Sequence, residues 1–121
     1  MKNGVDKGKA LTWNNTTGSD VIAGQVVLVG ETLAVAAVDI PHLSYGTVLT
    51  HYTFTLPKVS GAVISQGESL MWDVSAGAFN SGSATPAPGD VTGGGARADV
   101  AAGSGATSLA VHLTGVPGTI N

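Results

Sequence analysis

Residues 51–57 read HYTFTLP, with Tyr52, Phe54 and Leu56 alternating against His51, Thr53 and Thr55 before a proline. Alternation of period two over such a run specifies a half-buried β-strand, because successive side chains of an extended chain point to opposite faces. A second alternation, Leu70 and Trp72 against Ser69 and Met71, follows a polar turn at Gln66-Gly67. The stretch 51–73 therefore reads as two strands joined by a loop, and it holds most of the large side chains that can anchor a core. Trp72 is expected in that core, and Asp73 beside it is expected to cap a turn.

Similar patterns recur along the chain. Residues 10–13 are a short strand candidate, and the polar run 14–20 after them is a turn. That turn contains two formal glycosylation sequons, at Asn14 and Asn15, which read more simply as turn chemistry. Residues 25–29 and 32–38 are apolar and rich in β-branched side chains, with Gly30-Glu31 between them at the spacing of a tight hairpin. Residues 39–46 contain Pro41 and Gly46 and make a connection, and 47–56 read as one strand. A short strand at Ala78-Phe79 precedes a long Gly, Ser and Pro-rich surface loop. Residues 95–101 and 106–113 form the last pair, with Leu109, Val111 and Leu113 on one face, and the tail 114–121 is expected to be irregular. With 18 glycines, few aromatics and no helical periodicity, the chain is expected to be all-β, a compact β-barrel or β-sandwich. It is also expected to be one domain over 10–121 behind a flexible N-terminal arm, 1–9. That arm carries three lysines and, after Met1, one apolar side chain, Val5. It reads either as a frayed end or as a segment that orders by adding a strand to a partner's sheet edge. No internal repeat of fixed period is visible.

The composition excludes several functions. Charged residues are only 11% of a chain whose apolar share is 43%, so part of the apolar surface is expected to meet another chain. A net charge of −3 gives no basic face for nucleic acid. No run is long and apolar enough for a signal peptide or a membrane span, so synthesis and assembly in a reducing cytoplasm are expected. Cysteine is absent, which removes disulfides and thiolate metal sites. The segment GVDKGKA, residues 4–10, has one residue too few for a phosphate loop and an alanine where magnesium needs a hydroxyl, and Gly93-Gly94-Gly95 lacks dinucleotide-binding spacing. His42, His51 and His112 show no paired metal-ligand spacing, and no G-x-S-x-G elbow presents a nucleophile. No catalysis and no cofactor are therefore expected. Tyr45, Tyr52, Phe54, Trp72 and Phe79 could line a sugar-binding face, but alternation assigns Phe54 and Trp72 to apolar faces, and core is the preferred reading.

The run Phe54-Thr55-Leu56-Pro57-Lys58, followed by Gly61, Ile64, Gln66-Gly67 and Trp72-Asp73, resembles the F-x-L-P-K, G, I-x-Q-G, W-D pattern of small tailed-phage capsid cement or decoration proteins. The likeness extends from the MKN start through Asp39-Ile40, Gly46-Thr47-Val48 and 95–98 to 109–113. Two positions depart from it: Tyr52 stands where the family has glycine, and Met71 where it has an aromatic. Such proteins are sometimes labelled predicted phage recombinases, but the Walker loop and large α/β fold of a recombinase ATPase are missing here.

The resemblance implies a β-tulip-like domain on the outside of an assembled icosahedral head in the virion. It would be a homotrimer at three-fold or quasi-three-fold positions, with the major capsid protein as partner. Phe54, Leu56, Pro57, Lys58, Gln66, Gly67, Trp72 and Asp73 would then be scaffold, and Lys2, Asn3, Val5, Lys7 and Lys9 candidates for capsid contact. The alternative is a surface-displayed module that binds carbohydrate or host through exposed aromatics.

Overall fold

The computed structural model describes residues 10–93 and 95–121; the arm expected over 1–9 lies outside the described residues. The strands in chain order are β1 (Ala10–Asn14), β2 (Val26–Val29), β3 (Thr32–Ala36), β4 (Tyr45–Leu49), β5 (His51–Pro57), β6 (Leu70–Asp73), β7 (Ala78–Ser81), β8 (Val91–Thr92), β9 (Ala96–Ala98), β10 (Ser108–Thr114) and β11 (Thr119–Ile120). They form three antiparallel sheets, ordered β1-β4-β3-β2, β5-β10-β9 and β11-β8-β6-β7. None closes on itself and no helix occurs among the described residues, so the chain is all-β and a layered sandwich describes it, not a barrel.

The hairpin expected around Gly30-Glu31 is present. Val29 pairs with Thr32 across the two-residue loop. Gly30 has φ of 62° while Glu31 keeps a negative φ, the combination of a type II′ turn whose twist matches the flanking strands. Both faces of this hairpin are buried. Val26, Leu33 and Val35 point into the main core, shared with Leu56, Ile64, Leu70, Phe79, Val91, Leu109, Val111 and Leu113. Val27, Ala34 and Ala36 face a smaller core with Val21, Ile40 and Val48, flanked by Trp13 and Val29.

Across that smaller core Ile40 lies against Gly46, where an added Cβ would fall inside contact distance of the Ile40 side chain. Glycine is thus required by space at this position. Gly46→Ala is expected to cost about 1–3 kcal/mol as Ile40 is displaced, readable as a lower urea midpoint at unchanged m-value.

Several expectations give way. The strand read over 47–56 is two strands, because the chain changes sheets at Thr50: β4 pairs with β1 and β3, whereas β5 pairs with β10 in the full register from His51↔Thr114 to Pro57↔Ser108. The long loop after Phe79 contains β8, and the tail expected to be irregular supplies β11, whose Ile120 pairs with Val91. Met71, assigned by alternation to the face away from the core, is 1% exposed. Leu70 and Met71 point to opposite faces of β6 and are both 1% exposed, so alternation there carries no inside and outside.

Three turns share one construction. In Ile22-Ala23-Gly24-Gln25, Ser65-Gln66-Gly67-Glu68 and Ala87-Pro88-Gly89-Asp90 the fourth N–H donates to the first carbonyl, at 3.0, 3.2 and 3.0 Å. The glycine has φ of 91°, 80° and 92° respectively, as a type II turn requires at its third position. The fourth side chain then turns back to accept the first residue's N–H, at 3.3, 3.1 and 2.9 Å. Each turn launches a strand, β2, β6 or β8. These are irregularly spaced copies of one device, hidden from a search for fixed periods because Gln, Glu and Asp fill the same role.

Candidate functional site

The residues of the F-x-L-P-K stretch have separate surroundings. Leu56 is buried and Phe54 half-buried against the main core, with its ring edge-on to Tyr52 at 6.3 Å. Tyr52 shares the inward face of β5 but lies at its rim and is exposed. Lys58 is 3% exposed, and its Nζ donates to the carbonyls of Val59 at 2.9 Å and Ala106 at 3.0 Å, tying the end of β5 to the approach of β10. In the Gln66-Gly67 turn, Gly67 N–H donates to Ala98 O at 2.7 Å and Gln66 Nε2 to Asp99 O at 3.2 Å, which stitches the turn to β9. Asp73 Oδ1 accepts from Ser75 Oγ at 2.9 Å and Ala76 N–H at 3.1 Å, capping the turn from β6 to β7.

Pro57 and Trp72 meet in a cleft of about 410 Å³ lined also by Gly24, Gln25, Val26, Val74 and Gly77. The indole is half-buried, with one side edge-on to Phe79 at 4.9 Å and 62°. Trp72 thus packs on the main core as expected and is at the same time the floor of a surface depression. No lining residue is charged, so the cleft fits an apolar side chain or a sugar ring and offers no general acid or base. Periodicity could not find it: its lining comes from three stretches distant in sequence, the only local signal being the Gly24 turn.

Other candidates separate. Asn15 is fully buried; Nδ2 donates to Ser19 O and Ile40 O, both at 2.8 Å, while Oδ1 accepts from Thr17 N–H and Oγ1. The side chain organises the 15–19 turn, and its nitrogen is unavailable for glycosylation. His51 Nδ1 lies 2.9 Å from Thr50 Oγ1 and His112 Nδ1 2.9 Å from Thr53 Oγ1. Among the described residues no three His, Cys, Asp or Glu side chains are grouped as a metal site. Tyr45 is 71% exposed at the start of β4, and Trp13, left out of the sugar-face candidates, packs on the smaller core.

One carboxylate has a displaced pKa. Glu68 accepts hydrogen bonds from the Ser81 hydroxyl, then from Ser65 N–H and Gly82 N–H, and these hold it below its usual value against a smaller opposing effect of burial. A depressed carboxylate contributes stability that is complete above its unfolded pKa and fades as pH falls through the folded one. Stability is expected to decline on acidification below the ordinary glutamate range, and Glu68→Gln to flatten part of that decline in melting curves against pH. The effect is small, because Glu68 is only half-buried and solvent screens its carboxylate.

No curated protein matches the chain. Residues 5–115 match the family model described as phage cement protein, a span that takes in the F-x-L-P-K and W-D positions, all three capped turns and ten of the eleven strands. The chain belongs to the phage cement protein family.

Proposed function

We propose that this protein, as one domain over 10–121 with residues 1–9 as a contact segment, binds the outside of an assembled phage head and clamps neighbouring capsomers against the pressure of packaged DNA. Its family of structural cement proteins is the observation that carries the reading, and it makes the capsid of the virion the place of action. The partner is the major capsid protein; the protein acts as a homotrimer at three-fold and quasi-three-fold positions and is made in the host cytoplasm. No step of this role needs catalysis or a cofactor.

Side chains support it as well. Ile22, Leu43, Tyr45 and Val63 are each about two-thirds exposed or more, apolar surface of the kind that meets another chain. A trimer burying about 800 Å² per partner engages several subunits at once, and linkage turns modest single contacts into firm attachment. Lys2, Asn3, Val5, Lys7 and Lys9 are the proposed capsid contacts, while Phe54, Leu56, Pro57, Lys58, Gln66, Gly67, Trp72 and Asp73 hold the body that presents them.

Purified protein mixed with undecorated heads is expected to co-sediment, and removal of residues 1–9 to weaken binding while leaving the melting temperature of the body unchanged. Absence of co-sedimentation at every salt concentration would sink the head-binding reading. The exposed Tyr45 ring favours one second reading, a carbohydrate-binding surface. Reproducible glycan-array hits lost in Tyr45→Ala would carry that reading instead.

A further inference from the structure

The sheet β5-β10-β9 is covered by the main core on one face only. Leu56, Ala96, Ala98, Leu109, Val111 and Leu113 turn into that core, and alternation sends Thr53, Thr55, Arg97 and Ser108 to the other face, where all four are exposed. Across this open face Thr53, His112 and Arg97 stand opposite one another in one row over three strands. Thr53 Oγ1 lies 2.9 Å from His112 Nδ1, which anchors the imidazole on the strand next to Arg97. Neighbouring strands run about 4.8 Å apart, so the imidazole and the guanidinium border one patch.

Residues 10–121 hold two cations and seven acids, a formal balance of −5. Lys58 is buried with its ammonium on two backbone carbonyls, so Arg97 is the one Lys or Arg exposed among the described residues. None of the described carboxylates pairs with it, Asp99 two residues further on included. Five of the seven acids are turned onto their own backbone: Asp20 accepts His42 N–H, Asp39 accepts Ala23 N–H, Glu68 accepts Ser65 N–H, Asp73 accepts Ala76 N–H, and Asp90 accepts Val74 N–H. Of the two left over, Asp99 follows Arg97 on its own stretch, whereas Glu31 stands on a separate element, the exposed tip of the β2–β3 hairpin. That tip is held on both sides, because Val29 pairs with Thr32 beneath it and Glu31 O accepts Gly118 N–H at 2.8 Å. A carboxylate on a fixed support loses little freedom on meeting a partner.

We infer that in the homo-oligomer Glu31 of one copy pairs with Arg97 of the next, beside His112. The inference rests on the homo-oligomer reading and names the contact between copies. Copies with an excess of acids repel one another, so the surface on which they meet has to bring the exposed cation to a carboxylate. Glu31 and Arg97 belong to different sheets, β1-β4-β3-β2 and β5-β10-β9. Each copy therefore gives Glu31 to one neighbour and receives another's at Arg97, the head-to-tail arrangement that closes into a ring.

Charge reversal in the full chain is the direct test, with self-association read by sedimentation equilibrium. Arg97→Glu and Glu31→Arg are each expected to weaken association by on the order of tenfold per contact, because each sets like charges against each other. The double variant rebuilds the pair in reversed order and is expected to associate nearly as wild type does. Single variants that associate like wild type, or a double variant as weak as the singles, would overturn the pair and leave the homo-oligomer standing. A single variant that melts well below wild type at dilutions where both are monomeric would assign its residue to a contact within one copy, and would overturn the pair as well. Wild type that stays monomeric at every concentration would overturn the homo-oligomer together with the pair.

Discussion

Phe79→Ala is expected to lower the free energy of unfolding by about 3–5 kcal/mol, a large part of the roughly 5–15 kcal/mol that holds a domain of this size. Phe79 is fully buried, pairs with Trp72 across β6 and β7, and its carbonyl accepts Val59 N–H at 2.9 Å, so it joins the third sheet to the end of β5. Truncation leaves a cavity bounded by three strands that cannot all move inward. Urea denaturation followed by intrinsic fluorescence measures the loss, and a midpoint near wild type would show that the ring is not the keystone. Trp72→Ala is expected to cost less, about 1.5–3 kcal/mol, because one side of the indole faces the open cleft. A cost equal to that of Phe79→Ala would mean that the cleft is closed in solution.

Lys58→Met sets two effects against each other. Methionine keeps most of the aliphatic stem and removes a charge from a 3% exposed position, which by itself favours the folded state. It also strips the ammonium from the carbonyls of Val59 and Ala106; Val59 O keeps the Ala62 N–H at 3.3 Å, so Ala106 O is the acceptor that loses its donor, at a cost of about 1–3 kcal/mol. That loss outweighs the relief of a charge that was already well bonded, so a net loss of about 1–2 kcal/mol is expected. Thermal melts at neutral pH decide it. A neutral or stabilising result would mean that water reaches the Ala106 carbonyl, and that the lysine of the F-x-L-P-K stretch serves something other than this tie.

Strands β5 and β10 were each legible in the sequence because both have one buried and one open face, and Leu109, Val111 and Leu113 lie inward together at 5, 0 and 1% exposure, although their pairing with each other was not. The hairpin of β2 and β3 was legible for another reason: Gly30-Glu31 fixes its turn although both faces are buried. What stayed hidden follows from the physics of the signal. At Thr50 the polypeptide passes from one sheet to another without a glycine or proline to mark it, so two strands read as one. β8 and β11 have two residues each, too few for any periodicity, and they exist because their partners do. Tyr52 is in phase with the core yet exposed, since phase specifies a face and not how far along the strand that face stays covered. The cleft beside Trp72 is a product of tertiary packing.

The seam between β1 and β4 has a mechanical side. A load applied at Ala10 enters at one end of a five-residue ladder that runs from Ala10↔Leu49 to Asn14↔Tyr45 along an edge strand. A pull directed along β1 strains every rung of that ladder at once, whereas a pull across it opens the rungs one after another from Ala10. The same five pairs are therefore strong or weak according to the direction of the pull, and a force along β1 is resisted by this edge before the well-packed interior is tested.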